Sequence, residues 1–96
     1  MIEAVYEELR GIGVVRSSDD FSSSWLGKER SYMRCLRAKQ RKPSATALAT
    51  CAVRLLKSAD GLKYNMAPSM AVRSQRMRKL ADRCLEQILV EGARRR

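Results

Sequence analysis

Apolar residues recur at helical spacing in each segment that glycine and proline mark off, and this punctuation constrains the fold more than any other feature. Ile2, Val5, Tyr6 and Leu9 fall at i, i+3, i+4 and i+7, which is the stripe of an amphipathic helix. Glu3, Glu7 and Glu8 lie off that stripe, with Glu3 in the first turn, where the helix dipole favours an acid. Gly11 and Gly13 stop the helix, and Val14 and Val15 then cross into the core. Ser17 or Ser18 caps a second helix that has Asp19 and Asp20 in its first turn. Phe21, Trp25 and Leu26 form its apolar face. Ser22, Ser23 and Ser24 are small enough to let a neighbouring helix come close. Gly27 ends this helix in a left-handed conformation that glycine adopts at little cost.

A third, short helix is expected over residues 30–38, with Glu29 near its start. Tyr32, Met33 and Leu36 fall in one sector and face the core, while Arg30, Arg34 and Arg37 cluster on the opposite side. Three arginines on one face, with no nearby acid except Glu29, form a cationic surface narrow enough to enter a groove. Lys39 to Lys42 make a basic loop that Pro43 closes, because proline disfavours helix in the residue before it. Ser44 caps a fourth helix with a stripe of Leu48, Cys51, Ala52 and Leu55, ending near Gly61. Residues 62–67 read as a linker. Pro68-Ser69 opens a last helix over about 70–90, with Gly92 ending it and a basic tail over 92–96. Its stripe of Met77, Leu80, Ala81, Cys84, Leu85, Ile88 and Leu89 is wide. It suits either closure of the core or pairing with a second copy through Leu80, Cys84, Ile88 and Leu89.

The chain is 96 residues long, which suits one small domain with one modest core. Only five residues are aromatic, so Ala, Leu, Val and Met supply that core, as packed helices allow. No apolar run approaches the roughly 20 residues of a membrane span, and the acidic, helical N-terminus is not a signal peptide. Cys35, Cys51 and Cys84 include no CxxC pair, and there is no histidine, so a zinc site is not expected. An odd number of cysteines without a secretion signal suggests reduced thiols in the cytoplasm. The net charge of +10 is unevenly placed: −3 over residues 1–27, +8 over 28–67 and +5 over 68–96. The middle and end of the chain therefore ask for an anionic partner, nucleic acid first.

The stretch from Leu26 to Leu55 resembles the helix-turn-helix of the phage Cro and repressor family, also called the Xre family. The resemblance rests on Leu26-Gly27-Lys28-Glu29-Arg30-Ser31-Tyr32-Met33-Arg34-Cys35-Leu36, and runs without a gap through Arg37 and Pro43-Ser44 to Leu48, Ala52 and Leu55. The chain departs from the family at Lys28, where a small apolar residue is usual, and at Glu29, where a Ser or Thr cap is usual. The resemblance implies a small all-α domain of about five helices, with a repressor-like helix-turn-helix at 18–38 inside a unit spanning 1–60. It also implies that Arg30, Ser31 and Arg34 contact bases, Arg forking to guanine in the major groove. Lys39, Arg41 and Lys42 match the loop that approaches the DNA backbone, and Lys28, before the helix, and Arg37, on it, are expected to contact the backbone with them. Such contacts would position the protein rather than specify sequence.

The expected function is therefore binding of double-stranded DNA, as a transcriptional regulator of a bacterium, phage or plasmid, without a cofactor. No phosphate-cradling loop, nucleophile elbow or histidine base is present, and the carboxylates form no obvious pair, which argues against an enzyme. Two rivals use the same basic face. One is a protein-interaction module that docks an acidic partner; the other is a non-specific nucleic-acid binder, including of RNA. Trp25 and Tyr32 are the two large aromatics near the basic stretch, too few for stacking on single strands.

Overall fold

The computed structural model describes residues 2–63 and 68–94, with side chains at 2–61 and 71–90. Five helices follow one another: α1 (Ile2–Gly11), α2 (Ser18–Ser24), α3 (Tyr32–Lys39), α4 (Ala45–Lys63) and α5 (Pro68–Arg94). Among the described residues there is no strand. No helix is long and apolar enough to cross a membrane.

The helix ends follow local chemistry. Gly13 sits at φ +82° after α1, and the Gly13 and Val14 amides donate back to the Arg10 and Leu9 carbonyls, closing the helix with a paired C-terminal turn. Ser17 caps α2 by accepting from the Asp20 amide at 3.1 Å. Ser44 caps α4 by accepting from the Ala47 amide at 3.1 Å. Pro68 is the first residue of α5, where its missing N–H costs nothing.

Several boundaries differ from expectation. α3 begins at Tyr32, so Arg30 and Ser31 lie in the turn before it and the α2–α3 connection is seven residues, Trp25 to Ser31. That is longer than the three or four residues of a tight helix-turn-helix. α4 continues past Gly61 to Lys63, and α5 continues past Gly92 to Arg94. Gly61 meets nothing within 4 Å at its missing Cβ, so a long helix passes through it at only a modest entropic cost. Of the expected linker, 64–67 lie outside the described residues, as do 95 and 96 of the tail.

One core joins all five helices. Val5 and Leu9 from α1, Phe21 from α2 and Leu26 after it, Met33 from α3, Leu48 and Leu55 from α4, and Leu80 from α5 are all nearly fully buried. Each such side chain contributes about 1.5–3 kcal/mol relative to exposure. The Tyr6 and Phe21 rings meet at 5.5 Å and lock α1 to α2. α4 and α5 form an antiparallel hairpin. The Ser74 hydroxyl donates to the Ala59 carbonyl at 2.9 Å, Arg78 pairs with Asp60, and the Cys51 and Cys84 thiols, both free and buried, lie against each other. That contact with Cys84, and burial, push the Cys51 thiol far up, so it stays protonated.

The last helix therefore closes the core. Leu80 and Cys84 are 2% and 0% exposed within the single chain, so neither can form the pairing surface expected of them. Ile88 packs partly against the core, and only Leu89 of the four stands in solvent.

Candidate nucleic-acid interface

α3 is a short helix held by its ends and one side. Met33 is its buried anchor, 1% exposed, while Tyr32 and Leu36 are half-buried against the core. Ser22, fully buried on α2, joins the two helices: its hydroxyl donates to the Ser18 carbonyl at 2.8 Å and accepts from the Met33 amide at 3.1 Å. This satisfies one of the amides that a helix N-terminus leaves unpaired. The Tyr32 hydroxyl accepts from the Ser44 amide at 3.0 Å and so ties α3 to the start of α4. Lys28 lies 5.8 Å over the Tyr32 ring.

The turn before α3 is set by Gly27, at φ +65°, where an added Cβ would come within 3.1 Å of Thr50 Cγ2. Beside it, Arg54 of α4 donates to the Ser23 carbonyl at 3.0 Å and to the Ser24 carbonyl at 2.6 Å. A cation thus closes the C-terminus of α2, where the helix dipole favours it. After α3, Gln40 takes a left-handed conformation, φ 51°. Its amide donates to the Arg37 carbonyl and the Arg41 amide to the Leu36 carbonyl, the same paired turn that Gly13 makes after α1.

The expected base-contacting residues are only partly brought together. Arg34 is exposed on α3, Arg30 is exposed in the preceding turn rather than on the helix, and Ser31 is half-buried at the helix start without a side-chain cap bond. Of the expected backbone-contacting residues, Arg37, Lys39, Arg41 and Lys42 are exposed along α3 and its following loop, and Lys28 is half-buried at the other end. Lys28, Arg30, Arg34, Arg37, Lys39, Arg41 and Lys42 share this end of the molecule with one acid of the same stretch, Glu29.

The expectation that Glu29 is the only nearby acid is corrected by the packing. Arg34 forks onto Asp19 of α2, Nε to Oδ1 at 3.0 Å and Nη2 to Oδ2 at 3.4 Å. Arg37 forks onto Glu3 of α1, at 2.5 and 2.9 Å, and lies 5.7 Å over the Tyr6 ring. The Arg37 bond holds the Glu3 carboxyl below its usual range. Asp20 is also held low, by the Arg16 amide first and then the Ser24 hydroxyl. Sequence reasoning missed Asp19, Glu3, Ser22 and Arg54 as positioning groups. The signal for the acids was present: the first 27 residues are net −3 and the next 40 are net +8, so part of that asymmetry is satisfied inside the fold.

The chemistry available at this end is anion binding by guanidinium and ammonium groups. Exposed ion pairs contribute about 0–1 kcal/mol, so both arginines can exchange a carboxylate for another anion at little cost. Among the described residues, Lys39 and Arg41 have no ion-pair partner.

The chain belongs to the family described as "Family of unknown function (DUF6626)", which matches residues 2–96. No curated protein and no solved structure matches the chain.

Proposed function

We propose that this member of the DUF6626 family binds double-stranded DNA, with α3 and its flanking turns as the contacting surface. The observation that carries the reading is the exposed cationic edge formed by Arg30, Arg34, Arg37, Lys39 and Arg41, on a helix fixed by Met33, Ser22 and Tyr32. A rigid short helix with arginines outward suits a major groove about 12 Å wide. The resemblance to Cro-type repressors assigns base contact to Arg30, Ser31 and Arg34. Lys28, Arg37, Lys39, Arg41 and Lys42 then hold phosphates. The regulatory role and the cytoplasmic setting come with the same reading.

Asp19 and Glu3 act against phosphate in this scheme, since DNA must displace each carboxylate from its arginine. Asp19→Asn should therefore tighten duplex binding, measured by fluorescence anisotropy at fixed salt. On a duplex selected from a random pool, Arg34→Ala should cost about 1–3 kcal/mol and relax the choice of base, whereas Arg41→Ala should weaken every sequence alike. A second reading is favoured by one observation: Arg34 and Arg37 already bind carboxylates in forked geometry. The same surface would then dock an acidic protein segment. Loss of acidic-peptide binding in Arg34→Ala, with no duplex affinity in the parent, would decide for that reading.

A further inference from the structure

A groove of about 430 Å³ opens where α4 passes the end of α2 and the loop after α1. Val14 of that loop and Trp25 at the end of α2 give it an apolar side. Arg54, Lys57 and Ser58 of α4 stand at i, i+3 and i+4, so one helix face forms the opposite wall. Ser24 completes the lining. None of the residues assigned to DNA contact takes part in it. Two of the six lining residues are cations and none is an acid. Arg54 already gives its Nη1 to the Ser23 and Ser24 carbonyls, at 3.0 and 2.6 Å. Lys57 is exposed, Ser58 is half-buried, and among the described residues Lys57 has no ion-pair partner and the Ser58 hydroxyl no hydrogen bond. The Ser24 hydroxyl is committed to Asp20, at 2.9 Å. Asp20 therefore stands behind that end of the groove and opposes a second negative charge there.

We infer that this groove binds a small organic monocarboxylate, its apolar body against Trp25 and Val14 and its carboxylate on Lys57 and Ser58. The groups left to a ligand choose this class. One ammonium and one hydroxyl can both donate to a carboxylate, and a charge-assisted bond of this kind is the stronger sort. Arg54 stays on the α2 carbonyls and adds positive potential. A bare inorganic anion would leave the indole and valine side unused. A neutral apolar molecule would leave the ammonium unpaired. The volume falls within the range of about 300–1,000 Å³ usual for small-molecule sites, which combine an apolar lining with a few placed polar groups. The inference does not depend on the nucleic-acid reading.

Trp25 is the single tryptophan of the chain, so its fluorescence reports on the groove directly. Hydrocinnamate or decanoate, titrated into the full chain without DNA, should change that fluorescence saturably. Amide NMR spectra should show Val14, Ser58 and the Trp25 indole shifting together. Hydrocinnamamide keeps the body and lacks the charge; acetate keeps the charge and lacks the body. Each should bind about tenfold more weakly than hydrocinnamate, or worse. Lys57→Met keeps the stem and removes the ammonium. It should weaken hydrocinnamate about tenfold, with unchanged helicity by circular dichroism. No saturable change with either acid into the millimolar range overturns the proposal. So does an amide that binds as tightly as the acid, or an affinity that Lys57→Met leaves unchanged.

Discussion

Two single residues test whether backbone conformation or side-chain chemistry sets the turns around α3. Gly27 and Gln40 both occupy left-handed backbone, but only one is glycine. Gly27→Ala should destabilise by about 1–2 kcal/mol, the cost of a Cβ in that conformation, with the 3.1 Å approach of Thr50 adding to it. Gln40→Gly should instead stabilise by up to about 1 kcal/mol. Urea denaturation measures both, and a neutral Gly27→Ala would contradict the turn described here. Glu3 adds a pH test. Its carboxyl is held below the usual range by the Arg37 bond and charge, so its contribution is present above the unfolded pKa and lost as pH falls through the folded one. Glu3→Gln should therefore flatten the loss of stability on acidification below the ordinary carboxylate range. An unchanged acid limb would mean that the Arg37 pair is not formed in solution. Gly27 was legible because glycine announces a left-handed turn. Gln40 was not, because the side chain there gives no such signal and the turn is imposed by the hydrogen bonds of Gln40 and Arg41.

The α2–α3 unit depends on Ser22, whose buried hydroxyl serves both helices. Ser22→Ala should cost about 1–3 kcal/mol by leaving the Met33 amide unpaired and should loosen α3 before the rest. Hydrogen exchange of the α3 amides is the measurement; equal protection in parent and variant would contradict the bridge. The apolar stripes of α1 and α4 and the caps at Ser17 and Ser44 were legible from spacing alone, because burial repeats with the helical period. The start of α3 was not. Arg30 and Ser31 have adequate helix propensity, and what delays the helix to Tyr32 is the path of the chain from Gly27, packed against Thr50 and Arg54 of α4. Such a constraint comes from residues more than 20 positions away. The same holds for α5, where spacing showed a wide stripe but not which half of it the chain would bury. Contacts with α4 and α1 take Met77, Leu80 and Cys84 inward and leave Leu85 and Leu89 out.

The molecule as a whole is a small helical domain with an excess of positive charge, and its distribution decides what the surface can do. The acidic first helices neutralise Arg34 and Arg37 through Glu3 and Asp19, so the cationic edge is weaker than the sequence count suggests. Arg30, Lys39 and Arg41 remain on that edge beside them. A nucleic-acid role requires this residual charge to release counterions from the DNA backbone. The most direct measurement is the affinity of the parent protein and of Arg41→Ala for a duplex, as a function of salt. Log affinity should fall linearly with log salt, with a slope near −0.9 per phosphate neutralised, and Arg41→Ala should make the slope shallower by about one. No measurable duplex binding at low salt, or a slope that Arg41→Ala leaves unchanged, would contradict it.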